Sequence, residues 1–219
     1  MSLNFEATQD FQVSLLDVET LISYAKFEAE KGEDKKRELF LKLSVSSLVT
    51  KFQVFIEKLL EEYRFNVTTS NKKLHEFPLH LRLNSIKIYS SENVIHDKLS
   101  NPLKYNIQTF DNLKEIIGQL TGVCDDDKVI TKEFKVNTKF PLGKNGSGEV
   151  ISLFKQFNGE DIFKGTKTDS STLDEILWKR HTIIHEDANP QLTEPAIEAY
   201  LDFIRDLSDK IDTYTFKYQ

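Results

Sequence analysis

Thr172-Leu173-Asp174-Glu175-Ile176-Leu177-Trp178-Lys179-Arg180-His181-Thr182-Ile183-Ile184-His185-Glu186-Asp187 is the stretch on which the fold turns. Leu173, Ile176, Leu177, Ile183 and Ile184 recur at helical spacing and give an apolar side. Thr172 followed by Glu175 has the form of a capping-box start, and Pro190 stops the pattern. Between Arg180 and His185 a guanidinium and two imidazoles are packed into six residues, a density found nowhere else in the chain.

Outward from this helix, both ends of the chain read as amphipathic. A last helix starts near Thr193, with Pro195 in its first turn, and carries Ile197, Leu201, Ile204, Leu207 and Ile211 as its stripe. A first helix runs from about Phe11 to Glu30 on Phe11, Leu15, Val18, Ile22 and Ala25, and Gly32 ends it. A second runs from about Lys36 to Arg64 on Leu41, Val45, Leu48, Phe52, Phe55 and Leu59, widened by Val49, Ile56, Leu60 and Tyr63. Two long helices joined by a short charged turn predict an antiparallel hairpin.

The middle is less regular. Asn66 to Lys73 is a polar loop, Pro78 to about Leu99 is helical in part, Asn101-Pro102 breaks it, and Phe110 to Leu120 forms a short helix stopped by Gly122. Val129 to Phe140 alternates and favours a short β element. Pro141 to Gly148 is loop, Val150 to Phe157 a short helix, and Gly159 to Asp169 a polar linker. The expectation is a single, mainly α domain over 1–219, with 100–168 as an elaborated central segment.

Composition narrows the function. The single cysteine, Cys124, excludes an internal disulfide and any metal site built on a cysteine cluster. With no secretory pattern and no apolar run of membrane-spanning length, a cytoplasmic protein without a membrane partner is expected. At a net charge of −6 the whole-molecule field repels nucleic acid. Polyanion binding then requires a local basic site, or one doubled by association.

Five steps of about 100° place Arg180 and His185 roughly 140° apart, flanking one broad side, while His181 and His185 at i and i+4 share a face. This set suits phosphodiester cleavage. A histidine can move a proton at the ribose 2′-OH or the leaving oxygen, and arginine can hold charge developing on the phosphoryl oxygens.

Arg180-His181-x-x-x-His185 resembles the R-[polar]-x3-H signature of the HEPN superfamily. The run from Leu173 to His185 is similar to the penultimate helix of the RiboL-PSP type of HEPN domain, likewise followed by a proline-containing turn and a final amphipathic helix. The Ser- and Phe-rich helix pair at the N-terminus also resembles that type, whereas Lys72 to Lys167 does so only loosely. The resemblance implies an antiparallel helical bundle that dimerises so that two motifs face each other. It implies a metal-independent endoribonuclease, without cofactor, in a toxin–antitoxin or antiphage setting, with RNA as substrate and an antitoxin or operon product as partner. Arg180 would polarise the scissile phosphate, His185 would be the acid or base, and His181 would orient RNA or the other histidine. Attack by the substrate's own 2′-OH would leave a 2′,3′-cyclic phosphate. HEPN toxins silenced by a nucleotidyltransferase carry tyrosine two residues after the motif histidine; Asp187 stands there, so that control is not expected.

Other readings of the same residues stay open. One is a non-catalytic HEPN-like module that binds RNA or protein, with Arg180 paired to Glu186 or Asp187. His181 and His185 have the spacing of two metal ligands, but H-E-x-x-H order is absent and none of His75, His80 and His96 can be assigned as a third, so no metal is expected. Lys132, Lys135 and Lys139, with Lys179, are candidate RNA contacts; the lysine-rich stretch fits a protected edge strand equally well. Trp178 reads as core or interface packing.

Overall fold

The structure, a computed structural model, describes residues 3–84, 114, 117–118, 121–122, 125, 127–130, 134–140, 146–164, 170–186 and 190–219. Seven labelled helices follow: α1 Glu6–Ser14, α2 Leu16–Glu30, α3 Asp34–Thr69, α4 Leu79–Asn84, α5 Ser147–Asn158, α6 Ser170–His185 and α7 Glu194–Phe216. The described residues group into two compact units, one of 1–63, 137–155 and 159–219, the other of 64–136 and 156–158. The central segment expected over 100–168 therefore contributes to both. No strand forms among the described residues.

In the first unit, cross-helix pairs fix the direction of every long helix. Glu6 lies against Glu62, Phe11 against Phe55, Asp17 against Lys51 and Tyr24 against Phe40, so α3 runs antiparallel to α1 and α2. Thr8 meets Asp212, Gln12 meets Ser208, Glu19 meets Arg205 and Lys26 meets Glu198, so α7 is antiparallel to them as well. Glu175 bonds Tyr200, and Lys179 bonds Pro190 at the turn, so α6 and α7 form a second antiparallel hairpin. The bundle is the mainly α architecture that the amphipathic stripes predict.

The expected first helix is two, α1 and α2, meeting at the fully buried Leu15. The amides that open α1 receive no cap from their own neighbours. Glu62 of α3 accepts the Glu6 and Ala7 amides at 3.0 and 2.9 Å. Buried Asp212 of α7 accepts the Phe5 amide at 3.0 Å, the Asn4 side-chain amide at 2.6 Å and the Thr8 hydroxyl at 2.8 Å. Orphan donors of a helix start are thus satisfied by carboxylates from two other helices.

Gly32 ends the α2 cap as expected, at φ +72°, with the Glu33 amide bonded back to the Glu28 carbonyl at 3.0 Å. α3 then continues for 36 residues, about 54 Å, absorbing the first part of the expected 66–73 loop. Its apolar stripe is broad enough that one 18-residue window reaches a mean hydropathy of 1.5, so by length and composition α3 could cross a membrane, contrary to the expectation of no such run. That stripe lies inside the bundle: Leu41, Val45, Leu48, Phe52, Phe55, Ile56, Leu59, Leu60 and Tyr63 are all buried, and Phe11 stacks on Phe55 at 4.7 Å.

Residues 134–140 are extended, with Phe134, Val136, Thr138 and Phe140 buried and Lys135, Asn137 and Lys139 exposed. The alternation is real, but no ladder accompanies it. The Phe140 amide donates to Glu57, and its carbonyl accepts from Gln53, both side chains of α3.

In the second unit, a single antiparallel bridge joins Lys73 to Val129, and Phe77 packs on Phe134 with ring centres 5.8 Å apart. A single 3-10 turn at Leu74–Glu76 and α4 follow α3, and residues 117–118 and 121–122 are helical, Gly122 included. Expectations for residues 85–113, including Asn101-Pro102 and His96, and for Cys124 lie outside the described residues.

Candidate functional site

The site helix α6 begins at Ser170, so Thr172 sits within its first turn and not at a cap. Glu175 does not reach back as a capping box requires; its carboxylate accepts the Tyr200 hydroxyl at 2.5 Å. Burial of this phenol, followed by the carboxylate beside it, pushes the Tyr200 pKa upward, keeping it the donor. Asp174 turns to the opposite task. It accepts the Ser147 amide at 2.6 Å and the Ser147 hydroxyl at 3.0 Å, closing the start of α5. Both acidic residues in the first half of α6 are therefore engaged as tethers, one to α5 and one to α7.

Leu173, Ile176 and Leu177 are buried and seat the helix; the apolar side ends there. Ile184 is exposed and Ile183 only partly covered, so in the last turn only Thr182 stays buried. Trp178, expected in core or interface packing, is 57% exposed in this chain. The Lys179 ammonium donates to the Pro190 carbonyl at 2.6 Å and lies 5.7 Å from the centre of the indole, which holds the α6–α7 turn.

Arg180 is half-buried, and its Nε is buried without a hydrogen-bond partner. No acidic residue among the described ones pairs with it, so the Glu186 pairing considered from the sequence does not form; Asp187 lies outside the described residues. His181 and His185 are exposed, with ring centres 4.7 Å apart and planes tilted by 44°. The i, i+4 spacing thus brings the two imidazoles into contact, on the helix that also carries a guanidinium paired with no described acidic residue. A cation held in this way can bind a phosphoryl oxygen, and an exposed imidazole can exchange a proton with a substrate oxygen.

Lys139 is exposed in the first unit and Lys135 in the second, and no bond among the described residues links Lys139 to α6; Lys132 lies outside them. His75 and His80 are exposed in the second unit. Among the described residues no group of three or more His, Cys, Asp or Glu is placed to hold a metal ion.

Tyr200, Asp174 and Ser147 position α6 and were not singled out from the sequence. Their partners are 25 to 27 residues away, and only the folded path joins them.

Comparison with curated proteins and with solved structures returns no match. A family model does match, that of RiboL-PSP-HEPN, over residues 14–215. That span takes in α2 through almost all of α7, with the whole of α6 inside it. The bundle, its site helix and this match agree: the chain belongs to the RiboL-PSP-HEPN family and carries a HEPN domain.

Proposed function

We propose that this HEPN domain is a metal-independent endoribonuclease acting in the cytoplasm, in a toxin–antitoxin or antiphage defence setting. The observation that carries the reading is Arg180, a half-buried cation with an unpartnered Nε, on the same helix as two touching, exposed imidazoles. Arg180 binds the scissile phosphate and offsets the charge gathering on its non-bridging oxygens. One histidine takes the proton from the ribose 2′-OH, whose oxygen forms a bond to phosphorus. The bond from phosphorus to the 5′ oxygen breaks, and that oxygen receives a proton from a second imidazole. The products are a 2′,3′-cyclic phosphate and a 5′-hydroxyl. A second copy of the chain, bringing its own Arg180 and His185, supplies the separate base and acid, and it concentrates positive charge that a chain of net charge −6 otherwise lacks. Lys179, Lys135, Lys139 and Lys132 are assigned to the RNA backbone.

The test is cleavage of single-stranded RNA by wild type, Arg180→Ala and His185→Ala, with and without a chelator. Both variants are expected to lose cleavage while keeping the helical spectrum and melting behaviour of the wild type. Chelator is expected to change nothing. Full activity in either variant removes the catalytic assignment.

One observation favours a non-catalytic RNA- or protein-binding module: no described residue hydrogen-bonds either imidazole to orient it. On that reading wild type binds RNA but leaves it intact.

A further inference from the structure

Trp178, His181 and His185 step by three and four residues along α6, which places their side chains within one sector of about 60°. All three are exposed, and Trp178 lies about 10.5 Å along the helix from His185. The fold thus leaves three exposed aromatic rings in one sector of α6, with Arg180 about 160° round the helix from Trp178. Leaving an indole 57% exposed forgoes apolar burial, when buried leucine and isoleucine side chains flank it on the same helix. The ring is also held: its neighbour Lys179 is fixed to the Pro190 carbonyl with the ammonium 5.7 Å from the indole centre. Asp174 and Glu175, one turn before the indole, have carboxylate oxygens turned to Ser147 and Tyr200.

We infer that Trp178 is a stacking platform for an unpaired nucleobase of an RNA strand whose phosphate reaches Arg180 and His185. The inference rests on the ribonuclease reading of that helix. A flat π-surface beside cations accepts any base, provided that the base is free of a duplex. It makes single-stranded RNA the substrate class and predicts little preference among the bases. Loss of such a stack weakens binding roughly 5- to 150-fold.

The chain contains one tryptophan, so emission excited at the red edge, where its tyrosines do not absorb, reports on this position alone. The His185→Ala protein, which should bind without cutting, is titrated with a single-stranded RNA oligonucleotide and with the same oligonucleotide annealed to its complement. Saturable quenching by the single strand, and much weaker quenching by the duplex, is expected. Wild type and Trp178→Ala are then compared in cleavage: KM should rise with kcat little changed, and Trp178→Phe should recover most of the loss. Absence of quenching, or equal quenching by duplex, overturns the inference. So does emission that shifts to the blue with protein concentration in the absence of RNA, which would place the indole in a contact between copies. If wild type cuts RNA and fluorescence stays constant, the stack alone fails. If fluorescence responds as expected and nothing is cut, the ribonuclease reading alone fails.

Discussion

Asp174, one turn into the site helix, closes the start of another: its two oxygens take the amide and the hydroxyl of Ser147 at 2.6 and 3.0 Å. An acceptor at a helix N-terminus is worth about 0.5–2 kcal/mol. Asp174→Ala is expected to lower the melting temperature by about 1–8 °C. Gly146→Ala should act in the same direction, because Gly146 has φ +59° and an added Cβ would collide with the Asp174 carboxylate. The double variant should be little worse than Asp174→Ala on the contact term, leaving only the backbone strain, which a double-mutant cycle by thermal melting can separate.

Arg37 grips Glu194 through two bonds of 2.6 Å, from Nε and Nη2. The guanidinium's hydrogen bonds hold the Glu194 carboxyl below its ordinary range, against the opposing effect of burial. A depressed carboxylate pKa contributes stability that is complete above the ordinary glutamate range and is lost as pH falls through the folded value. Glu194→Gln should therefore cost about 1 kcal/mol at neutral pH, a figure discounted for the part-exposed arginine. The difference from wild type should vanish in acid. Urea titrations across that range check it; a constant difference at all pH values would show that the charge is not responsible.

Asp212 is buried and satisfies donors from Asn4, Phe5 and Thr8. Removing it strands several of them at once, so Asp212→Ala should cost about 3 kcal/mol and lower the melting temperature by roughly 6–12 °C. Asp212→Asn, which keeps one acceptor oxygen, should lose less. Amide exchange at Phe5 to Thr8 should accelerate in both.

The buried Nε of Arg180 has no partner, and neither does the buried hydroxyl of Thr182 two residues on. An unsatisfied buried donor is a standing cost of about 1–3 kcal/mol. Arg180→Met should thus melt at or above the wild-type temperature while RNA cleavage disappears. A clear loss of stability would mean that the arginine serves the fold and not a phosphate.

The long-range plan of the bundle was open to reading because stripes such as Val18, Ile22 and Ala25, or Leu201, Ile204 and Leu207, repeat at helical spacing and are buried as that spacing requires. The cluster of Arg180, His181 and His185 was visible for the same reason: i, i+4 neighbours meet whatever surrounds them. What stayed hidden depends on partners far along the chain. Glu175 looked like a local cap and bonds Tyr200. The alternation from Phe134 to Phe140 looked like a strand, yet the Phe140 amide and carbonyl are answered by Glu57 and Gln53 of α3. Trp178 read as core or interface packing and is not core in this chain, because the periodicity that puts it in one sector with the histidines says nothing about which sector of α6 the fold covers.

The bond from Asn4 to Asp212 spans 208 positions. On the ribosome, α1 leaves the exit tunnel long before the residue that closes its first turn has been made. Synthesis at about 5–20 residues per second separates the two events by roughly 10–40 s. Tyr200, which anchors α6, comes late for the same reason. A nascent chain therefore holds its arginine and histidines before it holds the frame that sets them, and the bundle closes only once α7 has been made.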